Sequence, residues 1–274
     1  MAEIGMNEEM MGKRVKKGYF HREDIRLYYE IYGSGFPLIM LHGNGESHKV
    51  FDRQARELSE KYRVILVDSR GHGRSVIKRK KQEMPILISD MSEDVVCLMD
   101  YLGMKKAILI GFSDGANIAL ELASSHPERA AAVVSVSGNA FPSGLYRIVR
   151  LVITAEYMLT CMLEHIPYSG RMRRKLIYRR QMAGLILYSP RLNADRLGRI
   201  TAPVLLLAGM LDLIRPSHTK WMADMIPDSK LRLVKRATHA AFFKKEKQYM
   251  RYIWEFLECR VPGNQSATSF SEMK

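Results

Sequence analysis

Short apolar runs alternate along this chain with segments whose apolar residues recur at helical spacing. Residues 18–33 (GYFHREDIRLYYEIYG) read as a hairpin, with Ile25, Leu27, Tyr29 and Ile31 alternating on the second arm. PLIMLHG (37–43) is a buried strand, and Ser47 is placed to cap a helix running to about Tyr62 with Phe51, Ala55 and Leu58 on one face. RVILVDSRG (63–71) is the next strand, and 91–102 an amphipathic helix with Ser92 as cap and Gly103 as stop. KAILIGFS, a helix over Asp114–Ser125 and AAAVVSVSG (130–138) continue the alternation. APVLLLAG (202–209), a helix near 217–226, a strand KLRLVK (230–235) and a last helix near 243–259 complete it. Such alternation predicts an α/β protein with a mostly parallel sheet covered by helices.

Residues 141–195 break the rhythm. They are helical in character, rich in Tyr, Met and Arg, and hold no convincing strand. The chain therefore divides into a core formed by 18–140 and 196–260, a helical cap over 141–195, and flexible termini over 1–17 and 261–274. In open α/β sheets ligands sit at the carboxyl ends of strands, so an insertion leaving from a strand end is placed to cover the site.

Composition narrows the class. An apolar fraction of 47% against 26% charged residues in 274 positions suits a globular core, not a disordered chain. Cys97, Cys161 and Cys259 are dispersed and odd in number, which predicts neither a disulfide framework nor a zinc site and suits a cytoplasmic location. The N-terminus lacks the apolar segment of a signal peptide, and the apolar stretch Leu151–Leu163 is too short for a transmembrane span. The formal charge is +14, concentrated in runs at 13–17, 78–81 and 171–180. No aromatic-interleaved RNA signature or recognition helix accompanies these runs, so no nucleic-acid partner is expected and a solvated basic surface is the plainer reading. A bias toward anionic substrates, and attachment to an anionic membrane surface or to nucleic acid, are the alternative uses of the same charge.

The chemistry gathers at strand ends. In Gly111-Phe112-Ser113-Asp114-Gly115 a buried strand turns directly into a helix. Glycines on both sides let strand and helix approach without Cβ clashes, lifting the Ser113 hydroxyl above the sheet beside free helix N–H groups. A serine needs a base to become a nucleophile. Of eight histidines, His42 and His72 sit beside glycines where they shape loops, whereas His239 follows the final strand and precedes the last helix, which makes it the chosen base. Asp212, three residues beyond Gly209 at a strand end, is the preferred orienting acid; Asn139 occupies another such position without a charge. The backbone N–H groups of Asp114 and of Asn44, in the HGNGES loop, are the candidate oxyanion donors.

The set HGNGE (42–46), DSRGHGRS (68–75), GFSDG (111–115), AGMLD (208–212) and ATH (237–239) resembles the α/β-hydrolase superfamily in order and spacing over roughly residues 20–258. The resemblance implies an eight-stranded α/β-hydrolase fold, a helical cap after strand six, a Ser113–His239–Asp212 triad, and no metal or organic cofactor. Serine at the elbow is similar to the esterase-like branch, whereas related dehalogenases and epoxide hydrolases carry aspartate there. Ala116 departs from the family's usual second glycine after the elbow. FSDGA is also similar to the elbow of the valacyclovir-hydrolase-like (biphenyl-hydrolase-like) group, in which the acid is associated with a substrate ammonium. The expected activity is that of a serine hydrolase of small carboxylic esters, with amino-acid esters as the narrower candidate. The partner is a small-molecule ester, with Asp114, Phe112, Tyr146 and Tyr157 proposed to contact it and Met158, Met162, Tyr168 and Met172 as further possible walls. A non-catalytic small-molecule binding protein of the same fold is the alternative.

Overall fold

The computed structural model describes residues 14–78, 85–167 and 169–260. Most of the expected flexible termini, residues 79–81 of the second basic run, and Tyr168 lie outside those residues. Arg14–Lys17, expected in the N-terminal tail, instead open the first strand, β1 (Arg14–His21). It pairs antiparallel with β2 (Ile25–Tyr32), which also pairs antiparallel with β4 (Tyr62–Val67). From β4 the sheet runs parallel through β3 (Phe36–Leu41), β6 (Ala107–Phe112), β7 (Ala130–Val136), β8 (Val204–Leu211) and β9 (Ser229–Thr238). The order is β1-β2-β4-β3-β6-β7-β8-β9. A two-residue strand, β5 (Val76–Ile77), adds to β2, so the sheet has nine strands where eight were expected.

Both faces of the sheet are covered, which is why the central strands read as continuous apolar runs. On one face Ile39, Leu41, Ile65, Val67, Leu109 and Val133 pack against α2 (Ile88–Tyr101), α3 (Asp114–Ser125) and α7 (Pro216–Met225). On the other face Leu38, Met40, Val64, Leu66, Ile108 and Ile110 meet α1 (Asp52–Leu58) and α9 (Glu246–Arg260). β2 departs from its predicted alternation because it lies inside the sheet; Tyr28, on the face opposite Leu27, is also buried.

Several boundaries move. The helix expected from Ser47 is a 3-10 turn (His48–Phe51) leading into the short α1, and Ser47 makes no side-chain cap. The helix expected at 91–102 begins at Ile88, leaving Ser92 buried inside it. Ile88 is buried, and although Leu87 makes no side-chain cap, the Ile88 N–H donates to Ser189 Oγ at 3.5 Å. Gly103 ends that region with φ +68°, a left-handed conformation suited to glycine. Between β7 and β8 lie α4 (Arg147–Leu163), α5 (Gly170–Tyr188) and α6 (Ala194–Gly198). A short helix, α8 (Ala241–Lys244), separates β9 from α9.

Candidate active site

The geometry of the elbow explains its glycines. Ser113 has φ 53° and ψ −119°, a strained conformation for a side chain, at the junction of β6 and α3. A Cβ at Gly111 would stand 2.2 Å from the Gly115 carbonyl oxygen, and one at Gly115 would stand 1.9 Å from that of Leu41. Strand β6, helix α3 and neighbouring β3 thus approach more closely than any side chain permits. Ser113 N–H donates to Val136 O at 2.8 Å, fixing the turn to β7.

The structure brings Ser113, His239 and Asp212 into one line. His239 Nε2 is 3.1 Å from Ser113 Oγ, and its Nδ1 is 2.6 Å from Asp212 Oδ1. Asp212 follows β8 and His239 follows β9, so adjacent parallel strands deliver the carboxylate and the imidazole to the same sheet edge as the elbow. Asp212 is buried, which raises its pKa, but the hydrogen bond and charge of His239, with donors from Ser137 and Ile214, outweigh burial and hold it below the usual carboxylate range. Ser137 Oγ donates to Asp212 Oδ2 at 2.6 Å and Ile214 N–H to Oδ1 at 3.2 Å. Ser137 was not singled out from the sequence; its signal was a serine at the end of the strand next to the acid's strand. Asn139, weighed as an alternative acid position, accepts from Asn117 and donates to Phe141 O.

The HGNGES loop presses on the elbow: a Cβ at Gly43 would meet Ser113 Cβ at 3.2 Å. Glu46, also missed, folds back to accept the Gly43 N–H at 2.9 Å, and its burial raises its pKa. Asn44 Nδ2 donates to Asp114 Oδ2 at 2.9 Å and to Met182 O of α5 at 3.1 Å. The other Asp114 oxygen accepts from Asn117 Nδ2 at 3.1 Å. Asp114 is buried, and burial raises its pKa against those amide donors. As the first residue of α3, it presents a backbone N–H with no partner one turn back in the helix.

These residues open onto a cavity of about 330 Å³ lined by Gly43, Asn44, Phe112, Ser113, Asp114 and His239 from the core and by Leu145, Val149, Ile153 and Ile186 from the cap. Phe112 packs its ring 5.1 Å from that of His239. The two tyrosines expected at the pocket sit elsewhere. Tyr146 precedes α4, where its N–H donates to Leu213 O, and its ring is exposed. Tyr157 turns toward α5, edge-to-face with Tyr188 at 5.5 Å, and lines a separate pocket with Tyr188 and Arg196. Tyr157 shares a face of α4 with Ile153 but lies one turn, about 6 Å, further along the helix, and it is Ile153 that reaches the cavity. Met158, Met162 and Met172 are exposed. His42 and His72 are buried in loop bonds, His42 Nδ1 to Gly43 O and His72 Nδ1 to Arg70 O, each at 2.8 Å.

A strained serine elbow on a parallel sheet, with a histidine and an acid on the following strand ends, defines a class. The family model for the alpha/beta hydrolase fold matches residues 37–180, more than half of the chain, and the protein belongs to that family. Among its relatives, the protein of Azorhizobium caulinodans named carbamate hydrolase RutD is 28% identical over 245 residues, 81% of this chain and 91% of its own length. The pimeloyl-[acyl-carrier protein] methyl ester esterase of Chromobacterium violaceum is 28% identical over 264 residues, 86% of this chain and all of its own. A thermophilic esterase from Thermogutta terrifontis superposes with a TM-score of 0.71 at 22% identity over 90% of this chain and 99% of that one, which speaks to the fold alone. Among the described residues, no helix is long and apolar enough to cross a membrane.

Proposed function

We propose that the protein is a serine hydrolase of small carboxylic esters, acting through an acyl-enzyme. The observation that carries this reading is the Ser113–His239–Asp212 line opening into a mostly apolar cavity. Ser113 Oγ attacks the ester carbonyl carbon while His239 Nε2 takes its proton. Asp212 holds the Nδ1–H and stabilises the imidazolium that forms. The oxyanion lies against the Asp114 and Asn44 N–H groups. His239 then returns the proton to the departing alcohol, and water, activated by the same imidazole, releases the acid. The relatives named for ester and carbamate cleavage support a carbonyl substrate of this kind.

Asp114 decides between neutral and amino-acid esters. Its likeness to the valacyclovir-hydrolase-like elbow favours an ammonium ligand, but both its oxygens already accept amide N–H groups and its burial disfavours the charged form. The geometry therefore favours neutral acyl esters, with Asp114 holding the Asn44 loop. Turnover of p-nitrophenyl acetate and labelling by a fluorophosphonate test the main reading. Ser113→Ala is expected to lose both, turnover by at least about a thousandfold. Turnover that survives this substitution overturns it, and absence of turnover in the unsubstituted chain favours a binding protein.

A further inference from the structure

The outer face of the cap has no use in that reaction. Along α4, Ile148, Leu151, Val152, Met158, Leu159 and Met162 are each more than half exposed. At about 100° per residue they fall within an arc of about 120°, a continuous stripe on a helix roughly 25 Å long. A stripe of this extent is expensive to leave in water and marks an interaction surface. Its opposite side carries Val149 and Ile153, which line the Ser113 cavity, so one helix has an inner apolar face over the site and an outer apolar face in solvent.

Charge identifies the occupant. Residues 147–191 contain nine Arg or Lys against two Glu, half of the chain's formal excess of +14. Both glutamates are paired, Glu156 with Arg179 and Glu164 with Arg180, each at 2.8 Å. Arg147 is exposed about 20° beyond one edge of the stripe, Arg150 is exposed about 80° beyond it, and the Glu156–Arg179 pair flanks the other edge. Two copies of this chain joined along the stripe would bring together two caps that each carry this net positive charge. An anionic lipid surface satisfies both features: apolar side chains enter the headgroup boundary while flanking arginines meet lipid phosphates.

We infer that the α4 stripe, bordered by Arg147 on a cap of net positive charge, docks the protein on anionic lipid bilayers. The helix lies in the interface and does not span it, and docking turns the cap side of the Ser113 cavity toward the lipid. The docking does not depend on the ester reading; the further consequence, access to esters whose acyl chains are dissolved in the bilayer, rests on it.

The test is co-sedimentation of the full chain with vesicles of equal parts phosphatidylglycerol and phosphatidylcholine, against phosphatidylcholine alone. The protein is expected to bind the anionic vesicles and to release as salt rises. Leu151→Ser combined with Leu159→Ser should weaken partitioning by at least about tenfold. Neither side chain lines the cavity, so the circular dichroism spectrum and turnover of a soluble ester should be unchanged. Arg147→Gln with Arg150→Gln should weaken it by about tenfold while leaving the stripe intact. Failure of the unsubstituted chain to bind anionic vesicles, or binding unaffected by either double substitution, overturns the proposal. So does a dimer in sedimentation velocity that the leucine substitutions dissociate. Docking without turnover would defeat only the ester reading, and turnover without docking only this one.

Discussion

His48 lies outside the reacting line but governs how the fold answers to pH. It is buried between two carboxylates: Nδ1 is 2.7 Å from Asp68 Oδ1, and Nε2 is 3.6 Å from Glu30 Oε1. Burial pulls its pKa down, but the hydrogen bonds and charges of Asp68 and Glu30 outweigh burial and raise it to about 9. In the unfolded chain a histidine titrates near about 6.5. The folded value is the higher one, so the stabilisation is complete below about pH 6.5, shrinks as pH rises, and is gone above about 9. At about 1.4 kcal/mol per pH unit the full effect is about 3 kcal/mol. The perturbation is His48→Gln, which keeps a polar side chain and the His48 backbone N–H bond to Asp68 at 2.8 Å but removes the charge. Urea denaturation of both proteins at pH 6 and pH 9.5 gives the stability difference at each pH. The loss is expected to be about 3 kcal/mol larger at pH 6 than at pH 9.5. Equal losses at the two pH values would show a neutral His48 and refute the reasoning.

Three further outcomes concern the site. Gly115→Ala forces a Cβ to within 1.9 Å of the Leu41 carbonyl oxygen, so it should cost about 3 kcal/mol or more and lower the melting midpoint by about 6–12 °C in calorimetry; an unchanged midpoint contradicts the close approach. Ser137→Ala withdraws a donor from buried Asp212 and should reduce ester turnover about tenfold, read from initial rates, while fluorophosphonate labelling persists; full turnover would remove Ser137 from any positioning role. Asp114→Asn should reduce turnover of aminoacyl and neutral acyl esters alike, because its carboxylate holds Asn44 and Asn117. A loss confined to aminoacyl esters would restore the ammonium reading.

The sequence was most legible where one local requirement dominates. Buried parallel strands need unbroken apolar runs, and the elbow needs glycine where backbone meets backbone, so β3, β6 and Ser113 stand out before any coordinates are seen. Asp212 and His239 were singled out by their strand-end positions together with the Ser…Asp…His order of the family the sequence resembles, and parallel neighbours finishing at one edge bring them together. Contacts made by ordinary polar residues carry no comparable signature. Ser137 and Glu46 make hydrogen bonds whose partners lie 75 and three residues away; Ser137 had only its strand-end position to mark it, and Glu46 had no such mark. The cap was legible as helices but not in its position along the cavity: spacing alone did not reveal that the cavity reaches Ile153 while Tyr157, one turn further on, meets Tyr188. The short β5 escaped because two residues are too few to establish a period.

The Asn44 side chain spans two parts of the molecule, with one amide nitrogen bonded to Asp114 in the core and to Met182 in the cap. It works as a clasp. Any outward movement of α5 would break the Met182 bond and free one of the two anchors on the Asn44 side chain. On the proposed reading, in which the Asn44 loop supplies an oxyanion N–H, substitutions along α5 near Met182 should alter KM and kcat together.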